Sequence, residues 1–317
     1  MKVLSYNISW SKQFKIDWLF NNKGIDAFVV PECANNDNIV VPDNFQFYWV
    51  GNYATKGLGV FVSNEHKQLI PDWANPKLSY AIPIIIDDEY LLLAVWPTIL
   101  KGITSDSYVD ILLEILKCYK EYIAKYKTVI IGDYNIISSN KRAGKNNPYP
   151  IFDWMQEHGL KSVHHSFLNE TYGNESLPSY HHQFKEESKF FIDYAFTNAE
   201  IVDYKLFTWD ETNRMSDHMP IMVEVKYIFY KAEPINLKCK YSSRFPITTL
   251  SKILSIIEPT GIHHWTRSGE IQSWHRCISL KYDFYKGTRR MKLLDSNEIR
   301  QLRDVCIFEV NGIEVYM

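Results

Sequence analysis

No stretch of this 317-residue chain approaches the ~18 consecutive apolar residues of a membrane-spanning helix, so no membrane span is expected. The amino terminus, Met1-Lys2-Val3-Leu4-Ser5-Tyr6, reads as the start of a strand. It lacks the basic segment, apolar run and cleavage site of a secretory leader. Five cysteines are scattered without a C-x-x-C or other close pair, which argues against a disulfide framework and predicts reduced thiols in the cytoplasm. Basic runs are missing as well. With a formal net charge of −2, the chain has no broad electrostatic footprint for duplex DNA, although the field within a cleft can differ from the net charge. Internal repeats and low-complexity tracts are absent.

What remains is ordinary globular material, 46% hydrophobic and 23% charged, and long enough for one large domain plus a small one. Aromatics reach 15%, which serves an aromatic-rich core first and stacking surfaces second. Lys2 to Ser9 reads as a strand, Ile16, Leu19 and Phe20 as the buried face of a short helix ended by Gly24, and Asp26 to Pro31 as a second strand. Strand candidates follow at Phe45 to Val50, Gly57 to Ser63, Ala81 to Ile86 and Tyr90 to Trp96. The strongest helix runs from Asp106 to Lys127, capped by Ser105 or Asp106, with Val109, Leu112, Leu113, Leu116, Tyr119 and Ile123 on one face. A buried strand over Thr128 to Ile131 comes next, then a helix from Pro150 to His158, and closing strands at Phe190 to Thr197, Ile201 to Trp209 and Pro220 to Tyr227.

Five segments deliver polar side chains from the ends of apolar runs: Leu4-Ser5-Tyr6-Asn7-Ile8, Val30-Pro31-Glu32-Cys33, Ile131-Gly132-Asp133-Tyr134-Asn135, Ile192-Asp193-Tyr194 and Ser216-Asp217-His218-Met219-Pro220. Taken singly, each is most simply a turn, an exposed carboxylate or a structural histidine. Together they supply Asn, Glu, Asp, Asn, Asp, Asp and His, an inventory suited to a hard divalent cation, a phosphate and a proton-transfer group in one cleft.

In this order the segments resemble the endonuclease/exonuclease/phosphatase family, which includes deoxyribonuclease I, abasic-site endonucleases, neutral sphingomyelinases and inositol polyphosphate phosphatases. The resemblance covers roughly residues 1 to 227. It implies an α/β fold of two packed mixed β-sheets flanked by helices, a four-layer α/β/β/α sandwich, over residues 1–230. It also implies a hydrolase that uses Mg²⁺, or Mn²⁺, to cut phosphodiesters, with nucleic acid as the favoured substrate. A phosphatase or phosphodiesterase for an inositol, lipid or nucleotide substrate is the runner-up, and an inactive binding module the third reading. Glu32 is the expected primary metal ligand, supported by Asn7 and Asp217. Asp133 would orient or deprotonate water, Asn135 would donate to a phosphate oxygen, and Asp193 would hold His218 oriented and charged. In extended chain Asp133 and Asn135 would face the same side.

Two features depart from the pattern. Trp96 stands where the family often has His or Tyr, and an indole only donates hydrogen bonds, so Trp96 is expected to pack or to stack on substrate. His181 and His182 sit just upstream of Asp193 as further substrate-binding candidates, of which at most one faces the cleft directly.

Beyond Tyr230 no family is recognised. Residues 231–317 read as a small α/β appendage, with a helix over Thr249 to Ile257, a strand over Cys277 to Phe284 and a capped helix from Asp295 to Asp304. Asn311-Gly312 marks a terminal hairpin. Trp265 and Trp274 flank Arg267 and Arg276, a mixture that suits either a small core or a nucleic-acid strand. No protein partner is deducible.

Overall fold

The structure is a computed structural model and describes residues 1–76, 78, 80–140, 146–226, 244–246, 260–266, 268–283, 286, 288–296, 298–310 and 313–316. The chain divides into two compact units, Met1–Tyr227 and Ile228–Met317.

The first unit opens with β1 (Lys2–Ser5), α1 (Gln13–Asn21), β2 (Ala27–Cys33), β3 (Phe45–Tyr53), β4 (Lys56–Ser63), β5 (Gln68–Leu69), β6 (Ala81–Ile86) and β7 (Tyr90–Val95). It continues with α2 (Tyr108–Lys125), β8 (Lys127–Asp133), α3 (Tyr149–Glu157), β9 (Lys161–Ser162), α4 (Val163–Leu168), β10 (Tyr180–His181) and β11 (Lys189–Phe190). It closes with β12 (Asp193–Thr197), β13 (Ile201–Leu206) and β14 (Ile221–Val225). Two six-stranded sheets result, in the orders β13-β14-β1-β2-β4-β3 and β5-β6-β7-β8-β12-β9, with β10 and β11 paired separately. Each large sheet carries one parallel pair, β1 with β2 and β7 with β8, and each pair is joined through a helix, as a parallel connection requires.

Side-chain alternation sorts the layers. Val3, Ala27, Val29, Leu58 and Val60 turn inward to meet Ile84, Leu92, Ile130 and Tyr194 of the other sheet. The residues between them, Leu4, Phe28, Val30 and Phe61, turn outward and pack with Ile16 and Leu19 of α1. On the far side, Val109, Leu112, Leu116, Tyr119 and Ile123 of α2 and Ile151 and Met155 of α3 join the inter-sheet cluster. The α/β/β/α layering expected from the sequence is therefore present. The N-cap of α2 falls at Ser107, whose hydroxyl accepts the Asp110 N–H at 3.3 Å. Ser105 instead accepts the Ser107 N–H.

The described part of the second unit is a seven-stranded sheet: β15 (Arg244–Pro246), β16 (Thr260–Trp265), β17 (Ile271–Asp283), β18 (Thr288–Leu293), β19 (Ile299–Arg303), β20 (Ile307–Val310) and β21 (Ile313–Tyr316), in the order β15-β21-β20-β16-β17-β18-β19. Ile262, Trp274, Cys277, Met291, Leu302, Ile307 and Val310 form its core. The helix expected from Asp295 to Asp304 is strand β19 and a 3₁₀ turn over Asp304–Cys306. Capping-box spacing is a local signal. It loses here to a ladder with β18 that buries Leu302 opposite Arg289, and to the buried Arg289–Asp304 pair, with two N–H···O contacts of 3.0 Å. Val310 pairs with Ile313 as the expected hairpin requires, while Thr249 to Ile257, Arg267 and Asn311-Gly312 lie outside the described residues.

Candidate active site

The polar residues emerge where β1, β2, β7 and β8 end, the carboxyl ends at which open α/β sheets gather ligands. Gly132 shapes the end of β8. At its φ of +155° a Cβ would lie 1.8 Å from the Val95 carbonyl oxygen, so only glycine lets β8 run this close to β7. Asp133 follows directly, buried, and stands opposite Asp193 in the β8–β12 ladder. Asn7 reaches across from the other sheet and donates its amide to Asp133 Oδ2 at 2.9 Å. Its Oδ1 accepts the Ser9 N–H at 3.0 Å. Beyond it, Ser9 and Trp10 both take left-handed backbone (φ 44° and 74°), a turn held by the buried Lys15 ammonium, which donates to the Ile8 and Ser9 carbonyls.

His218 is buried between two carboxylates. Its Nδ1 meets Asp193 Oδ2 at 3.0 Å, while Nε2 faces Asp133 Oδ2 at 4.0 Å, too long for a hydrogen bond. Burial alone would lower its pKa, but the charges of Asp193 and Asp133 outweigh it and raise the imidazolium to about 10. Asp133 moves the other way from an ordinary carboxylate. Burial pushes it up to about 7, with His218 opposing that shift and Asp193 adding to it. A hydroxyl at each end fixes the pair. Ser179 accepts the backbone N–H groups of Ile192 and Asp193, both at 2.9 Å, and Ser216 accepts the His218 N–H while donating to the Asn7 carbonyl.

The other flank is half-exposed. Glu32 sits in a bulge of β2 with φ 62°, strained for a residue with a side chain. Its carboxylate meets the Lys56 ammonium at 3.1 Å. Glu32, the half-buried Asp217 and the Asn7 amide are all oxygen donors, which fits a hard cation such as Mg²⁺. Asp133, Asp193 and His218 also present ligand atoms within 4.8 Å of one another. A cation there would have to displace the proton that two carboxylates hold on His218.

Solved structures share this arrangement of layers. The chain is similar to a 3′-5′ exonuclease from Neisseria meningitidis (16% identity, TM-score 0.53, covering 72% of this chain and 100% of that one). It is similar to an AP endonuclease from Archaeoglobus fulgidus (15%, TM-score 0.54, 71% and 99%) and to the AP endonuclease LMAP from Leishmania major (11%, TM-score 0.53, 71% and 87%). The first unit has the endonuclease/exonuclease/phosphatase fold. No protein-family model and no curated protein matches the chain.

On this fold the remaining candidates fall unevenly. Asn135 is not in extended chain: its φ is 54° and its N–H bonds to Asp133 Oδ1 at 2.9 Å, an Asx-turn. The turn directs its amide toward the Pro97 carbonyl at 3.3 Å, into a cavity it shares with Glu32 and Trp96. Trp96 is buried and packs edge-on against Tyr80. His181 is buried flat against Trp209 (centroids 4.2 Å, 12°), and His182 is exposed with its Nδ1 at 2.9 Å from the Tyr180 hydroxyl.

Sequence reasoning gave Tyr180 no role, yet its ring lies 4.6 Å from that of His218. Burial first, then the fields of Asp217, Asp133 and Glu32, raise its phenol to about 12. Lys56 and Ser179 were missed too. Neither belongs to a motif, and only tertiary pairing identifies them.

Proposed function

We propose that this chain is a divalent-metal-dependent phosphodiester hydrolase that acts on nucleic acid. The carrying observation is the buried His218–Asp193 pair facing Asp133 across a 4.0 Å gap, on a fold shared with AP endonucleases and a 3′-5′ exonuclease.

In this reading the scissile phosphate lies between the His218 Nε2 proton and the Asn135 amide. The imidazolium, kept charged by Asp193, donates to a phosphate oxygen as negative charge develops. Asp133, oriented by Asn7 and the Asn135 N–H, takes the proton of the attacking water. Glu32, with Asp217 and Asn7, would hold Mg²⁺ or Mn²⁺, which supplies charge neutralisation at the phosphate and the leaving oxygen. Trp96 has no titratable group, and its place in the cavity beside Asn135 suits packing or stacking.

Among the described residues, Cys33, Cys118 and Cys306 are free thiols, and no helix is long and apolar enough to cross a membrane. The thiols support a reducing compartment, which we take to be the cytoplasm.

The test is cleavage of labelled single-stranded DNA, duplex DNA and RNA by the purified chain with Mg²⁺, Mn²⁺ or EDTA. Metal-dependent cleavage that EDTA abolishes and His218→Ala removes is expected. A protein that cuts none of them in either metal would overturn the proposal.

A further inference from the structure

A small cavity of about 240 Å³ opens directly beside Glu32 and Asn135. Its walls are aromatic: Tyr53, Tyr80, Trp96 and Tyr108. Among the described residues that line it, Lys56 is the only cation. This lysine comes from the start of β4, next to the β3–β4 turn, and it is held in an unusual way. Its ammonium meets Glu32 at 3.1 Å and also lies over two indoles, 4.9 Å from the Trp10 centroid and 5.6 Å from that of Trp96. Trp10 is presented by the left-handed turn that Lys15 braces. A surface lysine usually has one weak partner. Here three groups from different segments fix one ammonium at the mouth of an aromatic cavity.

The indoles bear on what happens when Glu32 turns to a metal. Cation–π attraction needs no carboxylate, so the ammonium stays at the mouth with its donors released. The cavity then offers uncharged π-faces inside and one positive charge outside. Its volume lies below the ~300–1,000 Å³ of pockets for drug-sized ligands, enough for a single ring system and not for a base pair.

We propose that this cavity is the subsite for one unpaired nucleobase flanking the scissile phosphate, with Lys56 contacting a phosphate of that nucleotide. The inference rests on the nuclease reading and sharpens it to a substrate class: single-stranded nucleic acid or a frayed end. A base held in a duplex must leave its stack to enter, which costs a few kcal/mol.

The probe is a phosphorothioate oligodeoxynucleotide, which resists cleavage, carrying one 2-aminopurine. With Mg²⁺ and the 317-residue chain, the single strand should bind at least tenfold more tightly than the same sequence as duplex. Stacking should quench its fluorescence. Lys56→Met should weaken binding about tenfold and reduce the slope of log K against log salt by about 0.7, one phosphate contact on a single strand. Lys56→Arg should keep both near wild type. Tyr53→Ala, at an exposed position on the hairpin, should relieve part of the quench. Duplex bound as tightly as single strand, or Lys56→Met with unchanged affinity and salt slope, overturns the proposal. The two readings fail separately. If Lys56 and Tyr53 behave as expected but no unmodified strand is cut, the nuclease reading alone is wrong. If strands are cut and Lys56→Met binds like wild type, the subsite alone is wrong.

Discussion

Two histidines of the first unit each stand between two aspartates, at opposite ends of the sheets. His66, past the end of β4, joins Asp26 ahead of β2 to Asp87 in the β6–β7 turn, at 3.2 and 2.8 Å, and closes both contacts. His218 closes one contact, with Asp193, and leaves Nε2 at 4.0 Å from Asp133. The first arrangement is complete in itself and ties two segments together. The second holds a fixed charge with a donor still to be used, in a buried setting where water does not screen it. Chemistry follows from the unfinished contact rather than from the residue types, which are the same in both places.

The sharpest way to break this comparison is to remove the unfinished donor. His218→Ala should lower kcat on a phosphodiester by on the order of 10³, within the range of general acid–base groups. Asp193→Asn should cost nearly as much, and the double variant no more than His218→Ala, because the carboxylate acts through the imidazole. Independent factors that multiply in the double variant would mean the two residues do not act as one unit.

Glu32→Gln comes next. It keeps the shape of a side chain whose strained backbone already marks it out, and removes the charge. Binding of Mn²⁺, followed by its EPR signal, should weaken at least tenfold, and the rate at limiting metal should fall about 10²-fold. Wild-type Mn²⁺ affinity would move the metal from the Glu32 flank to the Asp133, Asp193 and His218 group.

A smaller effect is expected at Ser179, the hydroxyl that receives two N–H groups at the start of β12. Ser179→Ala leaves those buried donors unmatched and loosens Asp193, so kcat should fall about tenfold with KM unchanged. A rise in KM at constant kcat would instead place Ser179 in substrate binding.

The sequence made some of this plain and hid the rest for physical reasons. Apolar runs that end at Asn7, Glu32 and Asp133, or that begin just after Asp217-His218, are visible because strand ends punctuate hydrophobic patterns, and order along the chain carried the resemblance. The layers followed from alternation within β1, β2 and β4. The extended geometry expected at Asn135 gave way to an Asx-turn, which leaves no trace in side-chain periodicity. Lys56 pairs with a residue 24 positions away through a bulge, and Tyr180 reaches His218 through a hairpin seated on the 217–219 segment. Neither contact has a local signature. The capped helix from Asp295 to Asp304 went wrong in the opposite sense, because a real local signal was overridden by strand pairing.

The least effect belongs to His66, and it tests whether the completed arrangement is only structural. Hydrogen bonding to Asp26 and Asp87 raises its pKa from 6.5 to about 9, against the opposing effect of burial. Because the folded value lies above the unfolded one, the contribution to stability is fully present below about pH 6.5 and is lost as pH rises through 9. Water reaches this edge and screens the charges, so the contribution at pH 6 is about 1 kcal/mol. His66→Gln should therefore lower the melting temperature by a few degrees at pH 6 and by progressively less toward pH 10, while kcat at pH 7 stays within twofold of wild type. A large loss of kcat in a variant that melts like wild type would show that the far end of the sheets communicates with the cleft, and the contrast between the two histidines would fail.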